Sequence, residues 1–104
     1  MYIIIWEYHV KPKRVDEFER IYGESGPWVE LFQNGNGYLG TELLRDPSDQ
    51  YHYLTIDRWD SLSDYESFLS TWKKEYENLD AQYEGLTEQE TSLGKWETIS
   101  SKRR

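Results

Sequence analysis

From Tyr2 to Val10 nearly every position is β-branched or aromatic, and the run ends before Lys11-Pro12. Proline cannot donate to a sheet ladder, so the pattern predicts a strand that stops there. The period then changes. Val15, Phe18 and Tyr22 recur at helical spacing, with Asp16, Glu17 and Glu19 early, where the positive end of a helix dipole favours acids. Residues 23–27 interrupt this helix. Pro27 suits the first turn of another, with Trp28, Leu31 and Phe32 as its apolar stripe. Asn34-Gly35-Asn36-Gly37 is a turn signal, and residues 38–45 and 51–59 read as two strands joined across Asp46-Pro47-Ser48-Asp49 into a hairpin. Ser63 and Glu66 offer a capping box. After it, Leu62, Tyr65, Leu69, Trp72, Tyr76, Leu79 and Tyr83 keep alternating three- and four-residue steps, and Gly85 marks a stop. At ~1.5 Å per residue that helix would be about 33 Å long, against about 27 Å for an eight-residue strand. It is therefore expected to overhang its sheet, bend, or break near Lys73 or Asn78. Residues 88–99 read as a fourth strand, with Gly94 as a bulge position.

The order is β-α-β-β-α-β with an extra helical turn around Trp28. This is the α+β, ferredoxin-like arrangement: a four-stranded antiparallel sheet with helices on one face. Residues 1–99 are expected to form one domain and residues 100–104 a basic tail. Successive strand residues point to opposite faces. In the first strand Tyr2, Ile4, Trp6, Tyr8 and Val10 form a continuous apolar set suited to the helix side, opposite Ile3, Ile5, Glu7 and His9. In the third strand hydrophobicity does not choose between Tyr51, Tyr53, Thr55, Asp57, Trp59 and His52, Leu54, Ile56, Arg58. Both faces thus carry apolar residues. One packs against helices, and the other would be exposed unless a second copy covers it, which predicts a homodimer with sheets face to face.

Composition narrows the chemistry. Of 104 residues only 37% are hydrophobic, so 5 Trp, 9 Tyr and 3 Phe must carry much of the core. There is no cysteine, which excludes disulfides, thiolate metal sites and a thiol nucleophile. A net charge of -8 disfavours nucleic acid as a partner, since phosphate neutralisation needs a basic face and the one basic cluster is Lys102-Arg103-Arg104. The longest apolar run, residues 2–6, is far short of the ~20 residues of a membrane span. With no basic leader, the expectation is a cytoplasmic protein that crosses no membrane. Gly35 and Gly37 precede no helix, so they do not form a phosphate-cradling loop.

Trp6, Tyr8, Trp28, Phe32, Tyr53, Trp59, Tyr65, Phe68 and Trp72 are candidates to converge between sheet and helices, as core or as walls for a flat polycyclic or phenolic ligand. Asp57 is the sharpest single residue. Facing inward, it would have its pKa raised by burial and could take a proton from a phenol. The resulting anion could pass one electron to dioxygen, with Thr55, Tyr8 or Tyr65 holding the substrate oxygen. His9 and His52 fall side by side on the outer face, with Glu7 as the nearest third ligand, and no metal is expected there. A pH-dependent dimer is one corollary, weakened near pH 6 if both histidines charge together.

The stretch YHYLTIDRWDSLSDYESF over residues 51–68, a strand ending in Trp followed by Asp-Ser and an aromatic helix, together with Tyr38-Leu39-Gly40-Thr41-Glu42-Leu43, resembles the antibiotic biosynthesis monooxygenase family. The resemblance runs from Tyr2 to Ile99. It implies a ferredoxin-like chain paired into a dimeric α+β barrel, and a pocket between sheet and helices in which quinols are oxidised without a cofactor. Trp59 matches the family's Trp at the end of the third strand and Tyr65 its Tyr six residues on. Thr55 stands where the family has Asn, and the second helix offers Lys73 and Lys74 but no Arg. The haem-degrading branch has an axial His in that helix, where Asn78 stands here, and its first-strand Asn is replaced by Trp6, so no haem is expected. The resemblance implies a cofactor-independent monooxygenase acting on a small aromatic phenol or quinol. Asp57, Trp59, Tyr65 and Thr55 would be catalytic, and Trp6, Tyr8, Trp28, Phe32, Tyr53, Phe68 and Trp72 would bind substrate. A non-catalytic dimer binding an aromatic ligand, and an accessory domain without one, stay open as alternatives.

Overall fold

The computed structural model describes residues 1–99; the Lys102-Arg103-Arg104 cluster lies outside the described residues. β1 (Tyr2–Val10) stops at Lys11, and a 3-10 turn over Pro12–Arg14 feeds α1 (Val15–Tyr22). Pro27 opens α2 (Pro27–Phe32), where its missing N–H costs nothing. β2 (Tyr38–Arg45) and β3 (His52–Trp59) form the hairpin. α3 (Leu62–Thr71), α4 (Lys73–Tyr83), a 3-10 turn over Glu84–Leu86 and β4 (Thr87–Glu97) complete the order. The sheet runs β2-β3-β1-β4, antiparallel throughout. Helices cover one face of this α+β, ferredoxin-like fold. Among the described residues no helix is long and apolar enough to cross a membrane.

The apolar set of β1 does face the helices: Tyr2, Ile4, Tyr8 and Val10 are buried with Phe18, Ile21, Phe32 and Leu86. Trp6, on the same face, is only half-buried. The long helical stripe is divided at Trp72 (φ -110°, ψ 23°), next to Lys73, one of the two break points expected from the mismatch of helix and strand lengths. The cap also differs from expectation. Ser61, not Ser63, accepts the Asp64 N–H at 3.1 Å, because the helix already begins at Leu62. Ser61→Ala should cost about 1 kcal/mol, seen as a lower urea midpoint at unchanged slope.

Three register shifts interrupt the pairing, two in β4 and one in β2, and the one in β2 matters for the site. In β4 the pairings Ile4↔Lys95 and Trp6↔Ser92 leave one extra residue, accommodated by Gly94 at φ +105° as its position suggested. In β2 the pairings Tyr38↔Trp59 and Gly40↔Arg58 leave another, with Gly40 at φ +129°. Only glycine adopts such backbone angles without strain.

On the outer face Ile3, Ile5, Leu54 and Ile56 are half-buried, and Leu44 and Trp96 are exposed. His9 and His52 pair across the strands, their rings stacked at 4.8 Å and 4°. His52 Nδ1 lies 2.8 Å from Asp46 and Nε2 lies 2.6 Å from Glu7. Those hydrogen bonds, Asp46 first, raise the His52 pKa. Charging His52 therefore relieves two carboxylates, which removes the basis for a dimer that weakens at pH 6 through joint histidine repulsion. The sign follows from linkage: a raised folded pKa gives stability that is fully present below the ordinary histidine value and lost as pH rises through the folded one. The urea midpoint of the protein should carry this decline above neutral pH, and His52→Gln should remove it.

Candidate active site

β3 positions the site. Its inward residues Tyr53, Thr55, Asp57 and Trp59 are all buried. Asp57 sits between Ile4 of β1 and Thr41 of β2 in register, so Thr41 is its direct cross-strand neighbour. The Thr41 hydroxyl donates to Asp57 Oδ1 at 2.6 Å. With that proton used, Thr41 Oγ1 accepts from the Tyr38 hydroxyl at 2.5 Å. Tyr38 and Thr41 are three residues apart and would lie on opposite faces of a regular strand; the β2 bulge brings them to the same one. On the other side of Asp57, Tyr8 and Thr55 share a hydrogen bond at 3.0 Å, the diagonal contact of paired strands.

These groups floor a cavity of about 120 Å³ between sheet and helices. Trp6, Tyr8, Tyr22, Trp28, Phe32 and Tyr76 form its aromatic walls. Thr41, Thr55 and Asp57 supply the inner polar groups, and the exposed Asp80 and Glu90 stand at its rim. An apolar cavity of about 150 Å³ takes one benzene ring, so the interior of this one holds a single ring at most, and the rest of a larger ligand would extend through its open mouth. Asp57 is 8% exposed and makes no ion pair among the described residues. Burial pushes its carboxyl up to about 6, and the Thr41 hydrogen bond holds it from rising further. Burial also raises Tyr8 well above its ordinary value, so its phenol keeps its proton at neutral pH. The floor thus holds one group that ionises just below neutrality beside hydroxyls that do not. Thr41→Val should move the ionisation of Asp57 upward from about 6, since it removes one hydrogen bond to a charged group, worth about 1.5–3 kcal/mol. The pH profile of any reaction that needs the Asp57 carboxylate would follow.

The expected site residues divide. Trp6, Tyr8, Trp28, Phe32, Thr55 and Asp57 line the cavity. Trp59 does not: it is fully buried behind Phe32, among Tyr38, Tyr65 and Phe68, its Nε1 without a partner. Tyr65 and Phe68 pack on Trp59, away from the lining. Tyr53 is buried against Phe18, and its hydroxyl donates to Glu19 at the far end of the sheet. Trp72 is spent at the junction of α3 and α4. Sequence reasoning missed Thr41, Tyr38, Tyr22, Tyr76, Asp80 and Glu90. Tyr76 was visible in the helical stripe, but nothing local marked Thr41 or Glu90, which arrive by strand pairing. Glu7, His9 and His52 bring ligand atoms within 4.8 Å of one another on the outer face. Parallel stacked imidazoles cannot both hold one ion in their ring planes, so His9 would have to turn to share a metal.

The family model for antibiotic biosynthesis monooxygenases matches residues 1–83. No functionally curated protein matches the chain. Solved structures share its fold. A Deinococcus radiodurans protein assigned to the antibiotic biosynthesis monooxygenases is 14% identical, with TM-score 0.77 over 97% of this chain and 95% of its own. One from Nitrosomonas europaea is 13% identical, with TM-score 0.71 over 96% and 100%. SnoaB from Streptomyces nogalater, a cofactor-independent oxygenase, is 14% identical, with TM-score 0.72 over 99% and 97%. At these identities the likeness is one of fold.

Proposed function

Because the chain belongs to the antibiotic biosynthesis monooxygenase family, we propose that it is a cofactor-independent monooxygenase of a small, single-ring phenol or quinol, with Asp57 as the base. The observation that carries this reading is a buried carboxylate, pushed up to about 6, facing an aromatic cavity with no cation beside it among the described residues. The kinship of fold with SnoaB, an oxygenase that works without a cofactor, supports it.

Asp57 takes the phenolic proton, which a carboxylate near its own pKa does efficiently at neutral pH. The electron-rich anion passes one electron to dioxygen, and the radical pair joins at a ring carbon bearing hydrogen. Asp57 returns its proton to the peroxide, and loss of water leaves a carbonyl. The balance is phenol plus dioxygen to quinone plus water. Tyr8 and Thr55 hold the substrate oxygen. Tyr38 and Thr41 position the Asp57 carboxylate. Trp59 and Tyr65 act by packing behind them rather than by touching substrate. A second copy of the chain covers the outer face through Ile3, Ile5, Leu54, Ile56 and Trp96, closing the α+β barrel.

Oxygen uptake by the chelator-treated protein, offered single-ring hydroquinones and, for contrast, anthrones, tests the reading. Uptake of one dioxygen per hydroquinone is expected, one oxygen atom entering the ring to give a hydroxyquinone and the other leaving as water. Absence of uptake, with tryptophan fluorescence quenched by the same compounds, would make this a binding protein instead.

A further inference from the structure

The cavity's charge and shape say more about its ligand. Among the described residues its lining contains three carboxylates, Asp57, Asp80 and Glu90, and no Lys, Arg or His. The Glu90 side chain is exposed as a whole, but the partial desolvation of its carboxyl raises its pKa against the Thr87 hydrogen bond, and Asp80 and Glu84 add to the rise. Asp57, nine-tenths buried on the floor, has one oxygen held by Thr41 and no countercharge among the described residues. An anionic ligand would meet repulsion from floor to rim, whereas a cation at the mouth would relieve it. The walls point the same way. Trp28 meets Tyr76 edge-on at 5.0 Å and 68°, and is tilted by 37° to Tyr22 and 36° to Phe32. Mutually tilted faces make a box rather than a slot, and such boxes attract ammonium groups through their ring quadrupoles. The volume inside takes one ring, so any charged appendage on that ring must lie at the mouth, where the exposed Asp80 and Glu90 stand beside Tyr76.

We propose that the ligand is a cationic phenol: a single hydroxylated ring seated on Asp57, carrying an alkylammonium group held at the rim by Asp80, Glu90 and the rings of Trp28 and Tyr76. The ammonium preference stands on the cavity alone; that the phenol is a substrate rests on the proposed oxygenase reading.

Calorimetric titration of the full chain with tyramine, 4-ethylphenol and 4-hydroxyphenylacetate tests it, since the three share a ring and differ in charge. Tyramine should bind at least about tenfold more tightly than 4-ethylphenol, the combined worth of two rim charges and a cation–π contact, and 4-hydroxyphenylacetate most weakly. The D80N/E90Q double variant, altered at exposed positions, should cut the tyramine to 4-ethylphenol ratio severalfold, leaving only the share of the cation–π contact. Equal affinities in the wild-type protein, a ratio unmoved in the double variant, or no binding of any of the three would overturn the proposal. Ammonium preference without oxygen uptake would leave it standing and remove the oxygenase reading. Uptake with neutral phenols and no ammonium preference would do the reverse.

Discussion

Replacing Asp57 by asparagine is expected to lower oxygen uptake by about 10²–10⁴-fold, the usual contribution of a positioned base, and at the same time to make the protein more stable above pH 6. The two effects have one cause. Burial holds the Asp57 carboxyl at about 6, against an ordinary aspartate value of 3.8. The folded state therefore binds this proton more tightly than the unfolded chain does. Stability from this group is greatest when the carboxyl is protonated in both states. It falls as pH rises from about 4 to above 6, and the full loss is about 3 kcal/mol. Asparagine carries no such charge, keeps the shape, and can still meet the Thr41 hydroxyl. Urea titrations at pH 5 and pH 8, run in the His52→Gln background to remove that group's own decline, should show the Asp57 protein weakening between them and Asp57→Asn changing far less. The wild-type rate should rise through about pH 6 as the base ionises. A variant that keeps its activity would remove Asp57 from the chemistry. A variant that is less stable at pH 8 would mean that its ionised form is not disfavoured in the fold.

Trp59→Ala should be the most damaging single truncation for stability, at about 3–5 kcal/mol from a total of about 5–15 kcal/mol for a domain of this kind. The ring is fully buried, with Phe32, Tyr38, Tyr65 and Phe68 around it at centroid distances of 5.2–6.1 Å. Gly35 lies so close that even a Cβ there would come within 2.8 Å of the indole. Few neighbours can move to fill the space. Tyr38, whose hydroxyl donates to Thr41, leans directly on this ring, so the hydrogen bond to Asp57 should loosen as well. Trp59→Phe separates packing from contact with substrate. It should recover much of the urea midpoint and, if Trp59 acts only by packing, most of the activity. Full stability with lost activity would return Trp59 to the substrate-binding surface.

The sequence alone carried the elements and their order, because the signals involved are local. A proline ends β1, Pro27 starts α2, glycines and asparagines mark the turns, and period changes separate strand from helix. Alternation in β1 told which of its faces meets the helices, and the stretch over residues 51–68 carried the family. Asp57 stood out as the one charged residue in the set Tyr51, Tyr53, Thr55, Asp57 and Trp59, and the fold places it on the cavity floor.

What tertiary structure decided depends on pairing between distant segments. In β3 both residue sets were plausible inward faces, and register with β1 and β2 chose between them. The β2 bulge at Gly40 reversed side-chain parity, which put Tyr38 on the same face as Thr41 and gave Asp57 its hydrogen-bonded neighbours. The β4 strand delivered Glu90 to the cavity mouth, opposite Asp80 of α4. Trp59, Tyr65, Phe68 and Tyr53 bear the same aromatic chemistry as the cavity walls, and a one-dimensional pattern cannot separate a ring that lines a space from one that fills it. That distinction is set by a few ångströms of packing among five elements, which exist together only in the folded chain.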